Sequence, residues 1–341
     1  MERCDRSTRA SYPQLAWDAV MRPTRVLIVG ASPDHLNTNS GLRQFVRLGF
    51  EAAFPDAQVV GVGYEAAVST AAGLSPDLTV VFGSVVIDST DYYQLADVAR
   101  RTGRLAFWLH DDPYEFDGND RIFSIADIIF TNDAASIDFY PPNVNVHHLP
   151  LAACPAAHHR DHGRRVAPDL FFCGYLFANR KRFLTQLARS TSDFAKRTLL
   201  VGPCDGPREV PGWQIGTLPP SVLPDFYASA IAVLSIGRDL DLKNRRFGIR
   251  SSTPGPRTFE AALAGAAQIF VGDGLEVLDY FDAPSEILLA HSVEEFSEHW
   301  SRLRRDTALS LQIGARARSR AAAEHTYKHR VERLVSLISD S

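Results

Sequence analysis

The sequence predicts an α/β protein made of two parallel-sheet sandwiches in tandem that face one another across a cleft. Three observations carry that expectation. The chain has 341 residues, and single cores stop growing at roughly 250–300 residues, so two domains are expected. Short apolar runs alternate with stretches of helical periodicity, the pattern of βα units in a parallel sheet. The alternation restarts after a polar, proline-rich passage, and each series has a glycine directly after its first strand.

Taken in order, residues 1 to about 22 are polar with a few aromatics (Tyr12, Trp17) and read as an arm or short helix on the first half. Arg25 to Gly30 reads as a buried strand, followed by a polar loop through Gly41 and a helical stretch from Leu42 to Phe54. Further strand-like runs fall at Val59–Val62, Leu78–Gly83, Leu105–Leu109 and Ile128–Thr131. Between them, Tyr92, Leu95, Ala96 and Ala99 share one helical face. Ligands of open α/β sheets bind beyond the carboxyl ends of strands. That rule points to Ser32, Asn37, Asn39, Ser40 and Gly41 after the first strand. It also points to His110, Asp111 and Asp112 after the fourth, where a histidine can position a hydroxyl or stabilise charge. A plain Asx turn before Pro113 is the other reading of that group.

From Pro141 to Pro168 five prolines surround His147, His148, His158, His159 and His162. No metal-binding spacing accompanies them, so the passage reads as an exposed interdomain linker. The second series runs through Asp169–Gly174, a helix near Arg182–Leu187, Thr198–Val201, a helix at Asp225–Ala228 and Ala230–Ser235. Arg180 and Lys181 open its first helix, where cations can neutralise a pyrophosphate, although a solvated basic helix start would look the same. Gly202, Ile215 and Thr217 lie on strand-end loops of the kind that flank a planar base, and Arg238 ends another strand.

The stretch Ser252 to Val271 then reads as loop, short helix and buried strand. Pro254, Gly255 and Pro256 stop regular structure, and Pro256 can open a helix because its missing N–H has no intrahelical partner there. Gly255 and the amides around Thr258 thus meet Arg257 at the positive end of a helix, which suits a phosphate. Glu260, one turn in, suits the hydroxyls of a ribose or sugar. An ordinary helix start with an acidic residue nearby is the alternative. Val331, Leu334, Val335 and Ile338 give the chain's last helix one apolar face, and the arginines ahead of it (Arg302, Arg304, Arg305, Arg316, Arg318, Arg320) read as helix surface.

Composition bounds the function. An apolar share of 45%, a charged share of 22% and a net charge of −4 fit a soluble globular protein and argue against a nucleic-acid-binding surface over the whole chain. No apolar run approaches the roughly 20 residues that cross a bilayer, and the mixed charges of the first residues are not a secretion signal. Cys4, Cys154, Cys173 and Cys204 lack a Cys-x-x-Cys spacing and read as free thiols, so a cytoplasmic location is expected.

These motifs resemble a known family. Pro254-x-Pro-Arg-Thr-Phe-Glu260 followed by Ala-x-x-Gly265 is similar to the donor-binding motif of glycosyltransferases with two Rossmann-like domains (GT-B), most nearly the spore-maturation CgeB-like branch, related to glycosyltransferase group 1 or family 4. A Trp-x-x-Asp-x-Pro element at Trp108–Pro113, a Phe-x-Gly-x4-Asn-Arg element at Phe172–Arg180 and a His-Thr-Tyr-x-His-Arg element at His325–Arg330 extend the likeness over both halves. The resemblance implies an acceptor domain over residues 1–160, a nucleotide-sugar domain over 161–322 and a final helix, 323–341, crossing back to the first. It implies Glu260 on the ribose, Arg257 and the amides near Thr258 on the pyrophosphate, Arg180 and Lys181 assisting, and His110 at the catalytic centre. It further implies a metal-independent, retaining transfer from a UDP- or GDP-sugar, with no cofactor, to a small-molecule or glycan acceptor bearing a hydroxyl or amine. One departure stands out: related retaining enzymes often carry a second Glu eight residues before the ribose-binding one, and this chain has Ser252 there. A nucleotide-sugar epimerase on the same fold, or a non-catalytic nucleotide-sugar or glycan-binding protein, fits the same motifs.

Overall fold

The computed structural model describes residues 22–36, 40–87, 90–160, 168–204, 210–239, 242–274 and 276–340. In chain order the first half contains β1 (Arg25–Gly30), α1 (Leu42–Ala53), β2 (Gln58–Val62), α2 (Ala67–Leu74), β3 (Leu78–Phe82), α3 (Tyr93–Ala99), β4 (Arg104–Trp108), β5 (Ile128–Thr131), β6 (Val146–His148) and α4 (Pro155–His158). The second contains β7 (Leu170–Cys173), α5 (Ala178–Ser190), α6 (Phe194–Arg197), β8 (Thr198–Val201), β9 (Trp213–Gln214), α7 (Leu223–Ser229), β10 (Ala232–Ile236), α8 (Pro256–Ala264), β11 (Gln268–Val271), α9 (Val277–Tyr280) and β12 (Leu288–Ala290). Three helices close the chain: α10 (Val293–Arg305), α11 (Thr307–Glu324) and α12 (Tyr327–Ser339).

Each half is one six-stranded sheet, ordered β2-β1-β3-β4-β5-β6 and β12-β11-β10-β7-β8-β9, with every strand pair parallel. Parallel sheets are covered on both faces, so their strands are apolar throughout. Side chains of period two then sort into separate cores. Val26 and Ile28 of β1 pack with α1 and α12, while Leu27 and Val29 pack with α2 and α3. In the second half Leu170 and Phe172 face α5 and α10, and Phe171 faces α7 and α8. The strand order reverses between β1 and β3 and between β7 and β10. Those switch points open the crevices where an α/β sheet takes ligands.

The linker reading is corrected over residues 146–158, while 161–167 lie outside the described residues. Val146–His148 is the sixth parallel strand of the first sheet, Leu149 and Leu151–Cys154 are buried, and α4 follows. Two histidines in a three-residue edge strand hide its periodicity, and prolines at 150 and 155 bend a buried segment rather than an exposed one. The N-terminal arm lies outside the described residues.

The chain's end is anchored far from where it began. Tyr327, Val331, Leu334, Val335 and Ile338 of α12 enter the core of the first sheet against α1, each such burial being worth about 1.5–3 kcal/mol. Ala153 exchanges backbone hydrogen bonds with His325 and Tyr327 (3.1 and 3.0 Å), and Arg330 Nε donates to Pro150 O at 3.0 Å. Gly49 of α1 permits this approach, because a Cβ there would stand 2.9 Å from the Tyr327 backbone. Gly49→Ala is therefore expected to cost about 1–3 kcal/mol by overpacking. Gly73→Ala, in α2 with nothing within 4 Å of the added carbon, should gain about 0.5–1 kcal/mol from helix propensity. Urea unfolding of the two variants checks both signs.

Candidate functional site

The carboxyl edges of the two sheets meet, and α8 begins at the meeting. Pro256 opens this nine-residue helix, Gly255 precedes it with φ −67°, no side chain caps it, and its first turn carries no acidic residue. A Cβ built on Gly255 would meet nothing within 4 Å, so space lies directly before the helix start, where the Thr258 amide donates to Gly255 O at 3.0 Å and Pro256 has no N–H to offer. Gly265, at φ +86°, ends the helix in the left-handed region that favours glycine.

The loop ahead of α8 is held by the other half. Asp133, which follows β5, is fully buried and accepts through Oδ2 from Ser251 Oγ (2.7 Å), Ser252 N (3.0 Å) and Thr253 N (3.1 Å). Thr253 Oγ1 lies 3.1 Å from His148 Nε2 and donates to Glu276 Oε1 at 2.7 Å, while Ser252 Oγ donates to Glu276 Oε2 at 2.6 Å. A carboxylate thus stands beside Ser252 after all, delivered from the start of α9 rather than from position 252. Asp133, Glu276 and His148 are absent from the residues predicted above. Each lies more than twenty residues from the loop it serves, and no local spacing signals such a contact.

Three guanidinium groups gather at the carboxyl ends of β7 and β10. Arg257 is exposed, and its Nη1 donates to Tyr227 Oη at 3.3 Å. Arg180 donates to the carbonyl oxygens of Tyr175 (3.0 Å), Ile236 (2.9 Å) and Gly237 (3.1 Å), and lies over the rings of Phe172 and Phe177. It therefore spans the β7–β10 switch point. Burial, and after it the nearby Arg257, push its pKa down to about 10. Among the described residues neither Arg180 nor Arg257 makes an ion pair with a carboxylate. Arg238 crosses to the first half, pairs with Asp111 and covers the Tyr114 ring, its guanidinium carbon 3.7 Å from the centroid.

Glu260 lies one turn into α8 with its side chain 10% exposed. Among the described residues no hydrogen bond to its carboxylate forms, and His158 Nε2 stands 3.9 Å from its Oε1. A buried carboxylate left without donors costs free energy.

The histidine end of the first half is enclosed. The His110 side chain is 1% exposed, its ring packs against Phe82 at 5.5 Å, and neither nitrogen makes an aligned hydrogen bond, although Nδ1 is 2.9 Å from Asp111 Oδ2. Burial works against charge on this imidazole, but Asp111 and then Glu115 outweigh it and push its pKa up. Asp111 is pulled down by His110 and Arg238 in spite of burial. His110, expected beyond the strand's carboxyl end where ligands bind, is instead enclosed, with Asp111 beside it tied to Arg238. Asp112 is corrected too. Its oxygens accept from Thr131 (2.6 Å), Asn119 (2.8 Å) and Tyr140 (2.8 Å), so it builds the turn and faces the core.

Of the remaining predicted residues, Lys181 is half-buried in the first turn of α5, Thr258 is buried, and Ile215 and Thr217 are exposed on the loop after β9. Gly202 has a packing reason, since a Cβ there would fall 1.8 Å from Gly174 O. Ser40 and Gly41 start α1, with Gly41 open to solvent. Asn37 and Asn39 lie outside the described residues. Cys154, Cys173 and Cys204 are free thiols. Among the described residues no three His, Cys, Asp or Glu side chains are grouped to hold a metal, and no helix is long and apolar enough to cross a membrane.

Asp133 gives a pH signature. Burial, partly offset by the hydrogen bonds from Ser251, Thr253 and Ser252, pushes its pKa from 3.8 to about 6. The folded protein then holds this proton where the unfolded chain has lost it. Its contribution to stability is complete below about pH 4 and is lost as the pH rises through about 6. Asp133→Asn is expected to remove this part of the fall in stability between pH 4 and 6, with Asp112 and Glu115, also raised by burial, keeping theirs. Urea midpoints measured across that range test it; an unaltered slope would show that Asp133 is ionised at pH 4.

The comparisons with known proteins agree with this geometry. A family model described as Glycosyl transferase-like matches residues 180–336, and no curated protein matches the chain. Among solved structures, Anabaena HepE in complex with UDP and glucose is similar over 93% of this chain and 100% of its own, with 11% identity and a TM-score of 0.60. An α-glucosyltransferase in complex with UDP and a 13-mer DNA containing an HMU base is similar over 92% and 99%, with 11% identity and a TM-score of 0.63. A putative UDP-N-acetylglucosamine 2-epimerase from Listeria monocytogenes covers 93% and 96%, with 10% identity and a TM-score of 0.52. The chain has the GT-B fold, two facing Rossmann-like sheets, and its second half carries the Glycosyl transferase-like match.

Proposed function

We propose that the protein is a glycosyltransferase that moves a hexosyl group from a UDP- or GDP-sugar to a hydroxyl- or amine-bearing small molecule or glycan, in a retaining, metal-independent reaction in the cytoplasm. The observation that carries this reading is Glu260: a buried carboxylate with no hydrogen-bond donor in reach among the described residues, one turn inside an uncapped helix start beside Arg257. A nucleoside diphosphate satisfies both ends of that arrangement. Its ribose hydroxyls donate to Glu260, and its phosphates accept from the amides of Gly255 and Arg257 at the helix start and from the Arg257 and Arg180 guanidinium groups.

In this reading residues 161–322 bind the donor, residues 1–160 bind the acceptor near Ser40 and Gly41, and the last helix ties the two. Transfer breaks the bond between the sugar's anomeric carbon and the phosphate oxygen, and the electron pair leaves with the diphosphate. The acceptor's oxygen or nitrogen forms the new bond and gives up its proton. What the chain supplies is charge: Arg257 and Arg180 lie where negative charge grows on the leaving group, with Lys181 nearby, and preorganised cations of this kind supply the neutralisation that a divalent ion supplies elsewhere. His110 and Asp111 contribute on the opposite wall once Arg238 releases Asp111, so opening and closing of the cleft belong to the cycle. Ser252 and Glu276, hydrogen-bonded at 2.6 Å, bear on the retaining outcome, because together they keep a carboxylate next to the loop before α8.

Arg257→Ala is expected to weaken UDP or GDP binding about tenfold or more, the scale of a lost charge-assisted hydrogen bond, and to lower turnover with it. Glu260→Ala should weaken the nucleotide and leave inorganic pyrophosphate binding close to unchanged. Calorimetry with UDP, GDP and pyrophosphate, each with and without magnesium, reads all of this. Undiminished nucleotide affinity in Arg257→Ala overturns the assignment, and conversion of the donor into an isomer without any acceptor marks an epimerase instead.

A further inference from the structure

We infer that His158 is a positioning residue for Glu260. When a nucleotide binds, its Nε2–H takes one oxygen of the carboxylate, leaving the other to the two hydroxyls of a ribose. The inference rests on the nucleotide reading of α8 and adds to it a residue from the segment that joins the two sheets.

The tautomer follows from the backbone. α4 is a single turn opened by Pro155, and inside it the amide of Cys154 donates to His158 Nδ1 at 2.9 Å. A ring nitrogen that accepts a hydrogen bond carries a lone pair, so the proton of the neutral ring sits on Nε2. That nitrogen is 3.9 Å from Glu260 Oε1. Charge on the ring is disfavoured: burial lowers its pKa, Arg160 and Arg257 lower it further, and Glu260 pulls the other way without prevailing. A second proton would also break the bond from Cys154. His158 is accordingly a neutral N–H donor at neutral pH.

At 3.9 Å the pair is not yet a hydrogen bond. The gap is one that the carboxylate closes by turning about its own terminal torsion, which is soft in glutamate. The imidazole is fixed by comparison. It is 5% exposed and packs edge-on against Phe45 of α1, with ring centroids 4.9 Å apart at 74°. Phe45 leans in turn on Tyr327 of α12, at 6.1 Å. The ring thus cannot withdraw, and Glu260 has no alternative protein donor in reach among the described residues.

One neutral donor against a carboxylate is a poor device for stability, since apolar residues of the same volume do as well. It is a good device for orientation. An ionised carboxylate has about four acceptor sites; one N–H uses one of them and selects which way the others face. The remaining sites match a vicinal diol. A charged partner in the same place would instead compete with the ligand for the carboxylate.

The test compares UDP with 2′,3′-dideoxy-UDP by calorimetry, with GDP and its dideoxy form in parallel, on the wild-type chain and on His158→Leu and His158→Gln. Expected in the wild type is a preference for the ribonucleotide of about tenfold or more, as for hydrogen bonds to a charged group. His158→Leu should reduce that preference to within about threefold while pyrophosphate affinity is held, and His158→Gln, which restores an N–H, should recover most of it. Long-range proton–nitrogen correlation spectra of the wild type should show the neutral Nε2–H form at pH 7, which needs no variant to fold. A preserved ribose preference in His158→Leu, or the Nδ1–H form in the spectra, overturns the role of His158 while the nucleotide site stands. Failure of the wild type to bind any nucleoside diphosphate overturns both.

Discussion

The structure turns on one buried carboxylate that belongs to neither the donor helix nor its half. Asp133 follows the fifth strand of the first sheet, yet its Oδ2 receives the hydroxyl of Ser251 and the amides of Ser252 and Thr253 from the second. Those amides sit in a loop that prolines forbid from pairing as a strand or winding as a helix. Without an acceptor they would be buried polar groups at the point where two sheets meet, a cost of about 1–3 kcal/mol each. Asp133 meets that need, and in doing so decides where α8 starts and which way its amides point. The helix start is then available to a ligand because the loop before it has its hydrogen bonds made elsewhere.

The charge distribution across the cleft follows from the same meeting of edges. The second sheet brings Arg180, Arg238 and Arg257 to its carboxyl ends, and the first brings Asp111, Glu115 and Asp133 to its own. With one exception these groups do not pair across the gap. Arg238 reaches Asp111 and stacks on Tyr114. Arg180 and Arg257 stay close enough for the second to lower the pKa of the first, which is unfavourable until an anion enters between them. A protein of net charge −4 thus keeps an electropositive spot at the point where its two halves touch. That placement is a local arrangement, invisible in the overall charge.

How much of this was legible beforehand depended on range. Nine strands announced themselves as runs of about four to six mostly apolar residues, because a strand buried on both faces needs nothing subtler. β6, β9 and β12, two or three residues long, are too short for any period to show, and β6 is two-thirds histidine. The helix start at Pro256 was readable from Pro254, Gly255 and Pro256, which act on their own backbone. His110 and Asp112 were found by position but misjudged in orientation, since what decides their exposure is Arg238, Thr131, Asn119 and Tyr140. Asp133 and Thr253 are 120 residues apart, and no pattern in one stretch predicts a partner in another. His158 was noticed as one of five histidines in a proline-rich passage, and its meaning came only with Glu260 beside it.

The final helix explains why that passage is ordered rather than loose. By returning to α1 after the second sheet is complete, α12 forces residues 149–154 to run as a buried rung between Pro150, Ala153 and the backbone of His325 and Tyr327. α4 hangs from the end of that rung and sets His158 against Glu260. The surroundings of Glu260 are therefore built from four separate parts of the chain: α8, α4, Phe45 of α1 and Tyr327 of α12. Closure of the cleft cannot move α8 without straining contacts to the first half. Equally, a ligand that fixes Glu260 acts on His158, Phe45 and Tyr327 at once. Packing of this kind has discrete arrangements rather than a continuous range, so on the proposed reading donor binding at Glu260 and the relative position of the two sheets are parts of one equilibrium.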